Sequence, residues 1–363
     1  MKFVVEQTLS GSSARAGRLH LPRGEVETPA FMPVGTRAAV KTLSSEDLEQ
    51  LGYDLILSNT YHLLVRPGVE RIQRLGGLHR FMGWRRNILT DSGGFQVMSL
   101  SAIRSLTDEG VEFRSHIDGA LIQLTPEEAV RAQARLGVDI SMALDVCPKY
   151  PAEREELESA VNRTTQWAKR CLEARGEGQT LFGIVQGGTD RSLRDRSLQE
   201  ITSLPFDGYA LGGVSVGEPT DLQRPIVAEY MPLLPADKPR YLMGVGHPQD
   251  ILHAVEHGAD LFDCVLPTRM ARHHAVYTLN GLVDAEAAMW AEHDGPWDPD
   301  SVFPPLQRYS AAYIRHLFKM GEPLAPRLAT LHNLYFYRRL MRDIREAILT
   351  DSWDALKAKY ANA

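Results

Sequence analysis

Carboxylates that interrupt apolar runs are the residues of this 363-residue chain best suited to do chemistry. Asp263 stands inside the apolar run from Leu261 to Pro267, and Arg269 and Arg272 follow within the spacing of one helical turn. A charged group in such a run costs desolvation free energy unless it is paired or used in chemistry. The stretch therefore has two interpretations: a structural aspartate that accepts backbone N–H groups at a strand end, or an acid that acts on an anionic substrate.

Five other apolar segments also end in glycine or in hydrogen-bonding side chains. These ends are Asp91-Ser92-Gly93-Gly94, Asp145, Gln186-Gly187-Gly188, Gly212-Gly213 and Gly244-Val245-Gly246. Three carboxylates and an amide can bind the donors of a purine edge, and glycine lets a flat ligand approach the backbone closely. Two of the acids can also divide nucleophilic and acid–base work, as in retaining glycosidases. Glycine at one strand end indicates only a tight turn, but six such ends together favour a site.

Eight short apolar segments, separated by amphipathic stretches, would have to position these side chains. They span residues 28–36, 54–60, 87–94, 139–145, 181–188, 208–217, 240–247 and 261–267. Eight strand–helix alternations are typical of an α/β chain folded as a (β/α)₈ TIM barrel, whose active sites lie at the carboxyl ends of the strands. A doubly wound open sheet is the alternative, and the lack of a strong Gly-x-Gly-x-x-Gly motif after the first strand argues against it.

The segments that flank the strands divide the chain further. Turn signals at residues 11–13 and 22–24 predict an N-terminal antiparallel hairpin region. A second hairpin is predicted over residues 112–124, around Asp118-Gly119, after the third barrel strand. The predicted divisions are the hairpin region (1–27), the barrel strands and site (28–275), a C-terminal helical subdomain (276–335) and a C-terminal helix that packs on the barrel (336–363).

Composition and charge exclude several classes of protein. The chain is 44% hydrophobic and 24% charged with a net charge of −6, which excludes a uniformly basic nucleic-acid coat. No apolar run has the length of a membrane span, the N-terminal residues lack signal-peptide architecture, and three widely spaced cysteines indicate a reducing compartment. We therefore predict a cytoplasmic protein that needs no membrane. Between Asp300 and Arg345 eight Lys or Arg residues accompany three acids, which indicates a local polyanion-binding face or a solvated helical face.

Five motifs of the chain resemble those of bacterial tRNA-guanine transglycosylases, the queuine tRNA-ribosyltransferase family. They are residues 91–100 (DSGGFQVMSL), 183–188 (GIVQGG), 211–218 (LGGVSVGE), 241–246 (YLMGVG) and 262–269 (FDCVLPTR). The likeness continues in register from about residue 2 to Arg342. It implies a pentosyltransferase of queuosine biosynthesis that needs no energy cofactor. Such an enzyme replaces the wobble guanine of tRNAs with a GUN anticodon, those for aspartate, asparagine, histidine and tyrosine, by 7-aminomethyl-7-deazaguanine.

The resemblance also implies roles for individual residues. Asp263 would be the nucleophile that attacks the anomeric carbon of the ribose, and Asp91 would be the acid–base residue. Recognition of the 7-deazaguanine base would fall to Ser92, Phe95, Asp145, Cys147, Gln186, Gly213, the backbone of Val214, and Met243, with Phe95 and Met243 sandwiching the ring. Arg269 and Arg272 would contact RNA. Cys147 and Val216 favour the aminomethyl base, whereas Val146, which replaces an acid, leaves queuine as an alternative.

Two departures from the family pattern concern the C-terminal subdomain. The positions of the family's zinc ligands hold Ser301, Phe303, Leu306 and His332. One nitrogen ligand does not make a structural zinc site, so we predict no metal and an apolar plug from Phe303 to Leu306. Residues 282–300 contain six acids and no Lys or Arg, which disfavours contact with phosphates. The same chemistry on another polymer such as DNA, or a non-catalytic tRNA-binding subunit, therefore stays open.

A homodimer is the last expectation. Tyr309, Tyr313, His316 and Leu317 follow a helical spacing, and the resemblance assigns this aromatic face to the contact between two copies of the chain. Packing of the same residues in the chain's own core is the alternative interpretation.

Overall fold

The computed structural model describes the backbone of residues 1–100 and 102–363 and the side chains of residues 1–99 and 105–363. The strands in this part of the chain are β1 (Lys2–Thr8), β2 (Arg15–Leu21), β3 (Gly24–Thr28), β4 (Ala30–Pro33), β5 (Leu55–Ser58), β6 (Asn87–Thr90), β7 (Ala102–Leu106), β8 (Val111–Arg114), β9 (Leu121–Leu124), β10 (Ile140–Met142), β11 (Leu181–Val185), β12 (Gly208–Leu211), β13 (Arg240–Leu242), β14 (Leu261–Cys264), β15 (Ala275–Thr278) and β16 (Gly281–Asp284).

The α-helices alternate with the barrel strands and then gather in the C-terminal part. They are α1 (Ser45–Gln50), α2 (Thr60–Val65), α3 (Val69–Arg74), α4 (Leu78–Met82), α5 (Gly94–Leu100), α6 (Pro126–Leu136), α7 (Arg154–Glu173), α8 (Arg191–Thr202), α9 (Thr220–Tyr230), α10 (Pro248–Glu256), α11 (Leu266–Arg272), α12 (Pro304–Gln307), α13 (Ala311–Lys319), α14 (Leu324–Leu349) and α15 (Trp353–Lys359). A short 3₁₀ helix covers Ala288–Trp290.

Eight parallel strands form the barrel in the order β4-β14-β13-β12-β11-β10-β6-β5. A parallel bridge between Val34 and Leu57 joins the first strand of this order to the last. The N–H of Gly35 donates to the Leu57 carbonyl over 2.6 Å at the same seam. The sheet therefore closes on itself, which confirms the predicted (β/α)₈ barrel and excludes the open doubly wound sheet.

Apolar side chains fill the barrel and explain why its strands read as continuous hydrophobic runs. Strands covered on both faces contain few polar residues, and here β5, β6, β10, β11 and β12 are buried along their whole length. Glycine appears where rings crowd the sheet: a Cβ on Gly208 would stand 2.5 Å from the ring of Phe182. The interior is thus a packed core, and chemistry is confined to the carboxyl ends of the strands.

The predicted N-terminal hairpin region is a three-stranded antiparallel sheet, β1-β2-β3, held to the barrel by arginines. Arg15 of β2 donates to both carboxylate oxygens of Asp260, at 3.0 and 2.6 Å. Arg345 of α14 donates to the carbonyls of Gly17 and Thr28 over 2.8 Å each. Helix α14 runs continuously across the division predicted between residues 335 and 336, so that division does not coincide with the end of an element.

The predicted hairpin after the third barrel strand is part of a small antiparallel sheet, β7-β8-β9. Phe113 of β8 packs against Tyr61 of α2, with ring centroids 5.6 Å apart. Trp167 of α7 donates through its indole N–H to the Asp108 carbonyl over 2.7 Å. The small sheet is therefore anchored to helices that follow two different barrel strands.

The excess of Lys and Arg between Asp300 and Arg345 is mostly used in contacts within the protein. Seven of the eight cations are engaged: Arg315 with the Glu286 and Ala287 carbonyls, Lys319 with Glu286, Arg327 with Asp47, Arg338 with the Gly52 carbonyl, Arg339 with Asp298, Arg342 with Asp343, and Arg345 with Glu6. The positive charge of this stretch is therefore largely balanced by groups of the protein itself, and its interpretation as a polyanion-binding face stays a prediction. Net charge along the sequence could not reveal partners that are distant in the chain.

Candidate active site

Asp263 lies on β14 at the carboxyl end of the barrel, paired in register with Met32 of β4. One carboxylate oxygen, Oδ1, accepts from the hydroxyl of Tyr241 at 2.6 Å and from the N–H of Gly244 at 2.8 Å. The other oxygen accepts no hydrogen bond from the described residues. Burial raises the pKa of Asp263 above its usual range, against the effect of these two donors. The carboxylate is thus fixed through one oxygen, while the other keeps its lone pairs for a reaction.

Asp91 follows β6 directly, and its side chain is turned back onto the end of β5. Its oxygens accept from the side-chain amide of Asn59 at 2.5 Å, from the N–H of Thr60 at 2.8 Å and from the N–H of Gly93 at 3.2 Å. Burial nevertheless raises its pKa to about 6, with a further contribution from the negative charge of Asp263. The two carboxylates are therefore close enough for their charges to interact. A carboxyl group with such a pKa can lend or take a proton near neutral pH.

Asp145, Ser92 and Gln186 come together from the ends of three adjacent strands. Asp145 accepts from the Gln186 side-chain amide at 2.6 Å and from the Ser92 hydroxyl at 3.4 Å. Burial raises the pKa of Asp145 to about 6. The Oε1 atom of Gln186 is buried and has no hydrogen-bond partner among the described residues. Because an unsatisfied buried acceptor costs about 1–3 kcal/mol, this atom indicates a place for a donor group of a ligand.

Gly213 and Cys147 line the same pocket. Gly213 adopts a φ of +64°, and a Cβ added there would stand 2.3 Å from Gln186 Oε1, so only glycine fits beside that acceptor. Cys147 is buried, and burial raises the pKa of its thiol to about 12. The thiol is therefore a neutral wall of the pocket. Val214, the next predicted contact, is also buried.

Phe95 and Met243 are the two residues predicted to sandwich a ring. Phe95 lies on the first turn of α5, just after the Asp91 loop, and is 42% exposed. Met243 follows β13, one residue before Gly244, and packs partly against the barrel interior. Both lie on the carboxyl-end face of the barrel. Their roles as stacking groups stay a prediction.

Arg269 and Arg272 belong to a group of four cations on this face, together with Arg37 and Lys41. The pKa of Lys41 is lowered chiefly by the charge of Arg272, then by its burial and by Arg37 and Arg269. None of the four pairs with a carboxylate of the described residues, so each is available to an anion. Sequence reasoning missed Arg37 and Lys41, although they follow the carboxyl end of β4 as Arg269 and Arg272 follow that of β14.

Comparison with known proteins identifies the family to which this chain belongs. Residues 10–363 match the model of a family described as queuine tRNA-ribosyltransferase. The chain belongs to the queuine tRNA-ribosyltransferase family. It is 54% identical to the queuine tRNA-ribosyltransferase of Halalkalibacterium halodurans, with 95% of this chain and 92% of that protein covered. It is 50% identical to the enzyme of that name from Desulforamulus reducens, with 97% and 95% covered.

Membership in the queuine tRNA-ribosyltransferase family confirms the resemblance seen in the five motifs and the prediction of a pentosyltransferase. A third relative of the same name, from Thermodesulfovibrio yellowstonii, is 49% identical with 99% of this chain and 94% of that protein covered. No helix of the described residues is long and apolar enough to cross a membrane.

The C-terminal subdomain does not fit the zinc ion that the resemblance implies for this family. His332 is buried and its Nε2 donates to the Tyr277 carbonyl over 2.7 Å, because a carbonyl only accepts. Phe303 and Leu306 are buried in a core that also contains Trp297. No group of three or more His, Cys, Asp or Glu side chains in the described part of the chain is arranged to hold a metal. The donor set is therefore one histidine that already has a partner.

Removal of metal ions is expected to leave the thermal stability of the protein unchanged. Purified protein should contain less than about 0.1 equivalent of zinc, since structural zinc needs four N or S ligands, and a strong chelator should not lower its melting temperature. Leu306→Ala provides the positive control: it should lower the free energy of unfolding by about 2–5 kcal/mol with or without chelator, because it opens a cavity in the core. Stoichiometric zinc in an elemental analysis would refute the prediction.

The four residues predicted to form a dimer face do not share one helical stripe. Tyr309 precedes α13, and Leu317 is turned into the chain's own core. Tyr313 and His316 are exposed, and the rings of Tyr309 and Tyr313 stack with centroids 5.5 Å apart. The predicted single stripe is therefore wrong, because helical spacing was extended past the N-cap at Ser310. The dimer itself stays a prediction that rests on Tyr313 and His316.

Proposed function

We propose that this protein is a tRNA-guanine transglycosylase, which exchanges the wobble guanine of GUN-anticodon tRNAs for 7-aminomethyl-7-deazaguanine in queuosine biosynthesis. The observation that carries the proposal is the Asp263 carboxylate, which is held through one oxygen and whose charge acts on the carboxyl group of Asp91. The relatives that bear the name queuine tRNA-ribosyltransferase are matched over nearly their whole length, which supports the same activity here.

The reaction is a double displacement at the anomeric carbon of the ribose. The free oxygen of Asp263 forms a bond to C1′ as the bond from C1′ to N9 of guanine breaks, and guanine leaves with the bonding electrons and takes a proton. The incoming base then gives up its N9 proton and attacks C1′ from the face that guanine left, which releases the Asp263 carboxylate. Two inversions give retention, and the attacking and departing groups balance without an energy cofactor. Asp91 supplies and removes the proton.

The pocket beside the two aspartates supports recognition of a guanine-like edge. Asp145 offers carboxylate oxygens to ring and exocyclic N–H groups, and the unpartnered Oε1 of Gln186 offers another acceptor. Cys147 and Val216 match the bacterial type in the family resemblance, which supports the aminomethyl base over queuine. The four cations Arg37, Lys41, Arg269 and Arg272 would neutralise phosphates around the extruded nucleotide.

Two ion pairs reduce the negative charge that the C-terminal subdomain would present to RNA. Glu286 of the acidic segment pairs with Lys319 at 3.2 Å, and Asp298 pairs with Arg339 at 2.7 Å. These pairs neutralise part of the charge of residues 282–300. Arg37, Lys41, Arg269 and Arg272, which pair with no carboxylate of the described residues, lie instead on the carboxyl-end face of the barrel.

Incubation with labelled guanine separates this function from its alternatives. The label should enter tRNA with a GUN anticodon and not DNA of the same sequence, and denaturation during turnover should trap a protein–tRNA adduct. Label in DNA alone would assign another polymer, and binding of tRNA without label or adduct would assign a non-catalytic subunit. Competition between queuine and the aminomethyl base for release of labelled guanine decides the incoming base.

The exchange rate is expected to fall as the pH drops through about 6. Burial raises the pKa of Asp91 and of Asp145 to about 6 and that of Asp263 in the same direction. Asp91 and Asp145 are therefore ionised above about pH 6 and protonated below it, so that Asp91 can no longer take a proton from the incoming base. The raised pKa of Asp263 acts in the same direction, because a protonated nucleophile cannot attack. Measurement of kcat/KM between pH 5 and 8, with circular dichroism at each pH as the control for folding, checks this. A flat profile would contradict it.

A dimer is also proposed, with Tyr313 and His316 in the contact. Sedimentation of the wild type and of a Tyr313→Ala, His316→Ala double variant tests it, since loss of two exposed side chains from a true interface should raise the dissociation constant without changing the fold.

A further inference from the structure

Arg194 is a fully buried arginine behind the base pocket, with no assigned role. It lies on the first turn of α8, the helix that packs against β11. Its side chain is 0% exposed, and no carboxylate of the described residues forms an ion pair with it. Burial lowers the pKa of its guanidinium only to about 10, so the group remains a cation at neutral pH. An unpaired buried cation costs folding free energy. Other groups around the guanidinium must therefore compensate for its loss of solvation.

All the hydrogen bonds of this side chain go to backbone carbonyls at the ends of two strands. Nε donates to the Gly188 carbonyl at 2.8 Å, Nη1 to the Val185 carbonyl at 3.2 Å and Nη2 to the Gly213 carbonyl at 3.0 Å. Val185 and Gly188 flank Gln186, and Gly213 follows β12. The planar guanidinium thus ties together the two backbone segments that line the base pocket.

The bond to Gly213 fixes the direction of one peptide group. The peptide between Gly213 and Val214 is trans, so its N–H points opposite to its carbonyl. Because the carbonyl faces Arg194, the N–H of Val214 is directed away from Arg194. Gly213 itself lies between the arginine and Gln186: a Cβ added to it would be 3.3 Å from Nη2 and 2.3 Å from Gln186 Oε1.

A second residue of α8 holds Gln186 from the same side. Ser197, one turn after Arg194, is fully buried, and its hydroxyl accepts from the Gln186 N–H at 2.9 Å. Residues three apart share one face of a helix. One face of α8 therefore carries two polar side chains that both bond to the backbone of the pocket, where apolar residues would be the ordinary choice for packing.

We propose that Arg194 is a positioning residue that sets the orientation of the Gly213–Val214 peptide and so determines the affinity of the pocket for the base. The proposal rests on the proposed function, because the base is the ligand that this function gives to the pocket. Without the guanidinium, the Gly213 carbonyl loses its hydrogen-bond donor and the Gly213–Val214 peptide is free to rotate. Rotation places the carbonyl, an acceptor, where the ordered peptide presents the Val214 N–H, a donor. Binding of the base then weakens, while the reacting carboxylates keep their places.

The test compares Arg194→Met with the wild type. Calorimetry with free guanine should show a dissociation constant raised about tenfold, the scale of one or two hydrogen bonds. Steady-state exchange should show a similar rise of KM for guanine and a change of kcat of less than about threefold. Arg194→Lys, which keeps the charge and three donors, should recover part of the affinity. Wild-type protein that binds guanine but fails to exchange it would refute the proposed function and leave the calorimetric test of Arg194 in place.

Arg240→Met is the matched control for a merely structural role. Arg240 is also buried, burial lowers its pKa to about 10, and it donates to the Pro232 and Leu234 carbonyls at the opposite end of the barrel. Its loss should lower the melting temperature without a change in guanine affinity. An equal loss of affinity in both variants, or an unchanged affinity in Arg194→Met, would overturn the proposal. If Arg194→Met does not fold, Arg194→Gln takes its place, and wild-type affinity in that variant would overturn it as well.

Discussion

Replacement of Asp263 by alanine should lower guanine exchange into tRNA by roughly 10⁴-fold or more, the scale seen when an enzyme loses its covalent nucleophile. The variant loses the only group that the mechanism uses to bond C1′, so the protein–tRNA adduct should disappear with the activity. Gel analysis of denatured reactions detects the adduct, and incorporation of labelled guanine measures the rate. Guanine affinity should stay within about threefold of the wild type, because Asp145 and Gln186 are untouched.

Asp263→Asn separates loss of the nucleophile from loss of packing. Its side-chain oxygen can still accept from Tyr241 and Gly244, so the fold and the pocket should survive, whereas its amide does not form the ester. Asp54→Asn is the control at the other end of the barrel, where a half-buried aspartate precedes β5, and it should retain full activity. An adduct in either Asp263 variant would assign the covalent bond to another residue and overturn the mechanism.

Replacement of Asp91 by asparagine should lower kcat by about 10²–10⁴-fold, the usual contribution of a positioned acid–base group. The pKa of about 6 allows Asp91 to carry a proton in one step and to lack it in the next. Asparagine has no such proton, so both departure of guanine and attack by the new base are slowed. Single-turnover measurements on adduct formation and on its discharge by added base should show both rates reduced.

The hydrogen bond to Asn59 supplies a stringent control for this variant. Asp91→Asn alone brings two amide N–H groups together where Asn59 now donates to the carboxylate at 2.5 Å. The double variant Asn59→Asp, Asp91→Asn restores a donor–acceptor pair but places the acid on the neighbouring strand end. Stability should then recover while kcat remains low. Recovery of kcat in the double variant, or a kcat above a tenth of wild type in the single one, would remove Asp91 from the mechanism.

The barrel was predictable because each of its eight strands carries an apolar run, and such runs are sufficient to identify strands that are buried on both faces. The carboxyl ends also revealed Asp91, Asp145, Gln186 and Asp263, since polar residues that follow buried strands in one architecture meet on one face. Arg194 was not predictable in this way. The sequence around it, RSLRDRSLQE, has the charge density of a solvated helix, and only the packing of α8 shows which arginine points inward.

Other features were hidden from the sequence for a related physical reason. Leu317 continues an apparent stripe along the sequence, but the side of α13 that it occupies is covered by the subdomain's own core. The ion pairs of the basic stretch near the C-terminus were not predictable, because its partners, such as Asp47 and Glu6, lie hundreds of residues away in the chain. Periodicity describes one element at a time, whereas burial and ion pairing depend on which elements meet.

The seam between Val34 and Leu57 sets the order in which a ribosome-bound chain can acquire its structure. Strand β4 emerges early and finds β5 nearby, but its other neighbour, β14, is translated only after the rest of the barrel. The N-terminal sheet is held in place later still. Arg345, which binds the carbonyls of Gly17 and Thr28, is translated after all the strands. A nascent chain stalled before β14 therefore exposes an unpaired strand edge on each side of an incomplete wall. Such edges pair with other chains, so slow translation through the last third of the message should favour aggregation, and chaperone binding should persist until α14 is released.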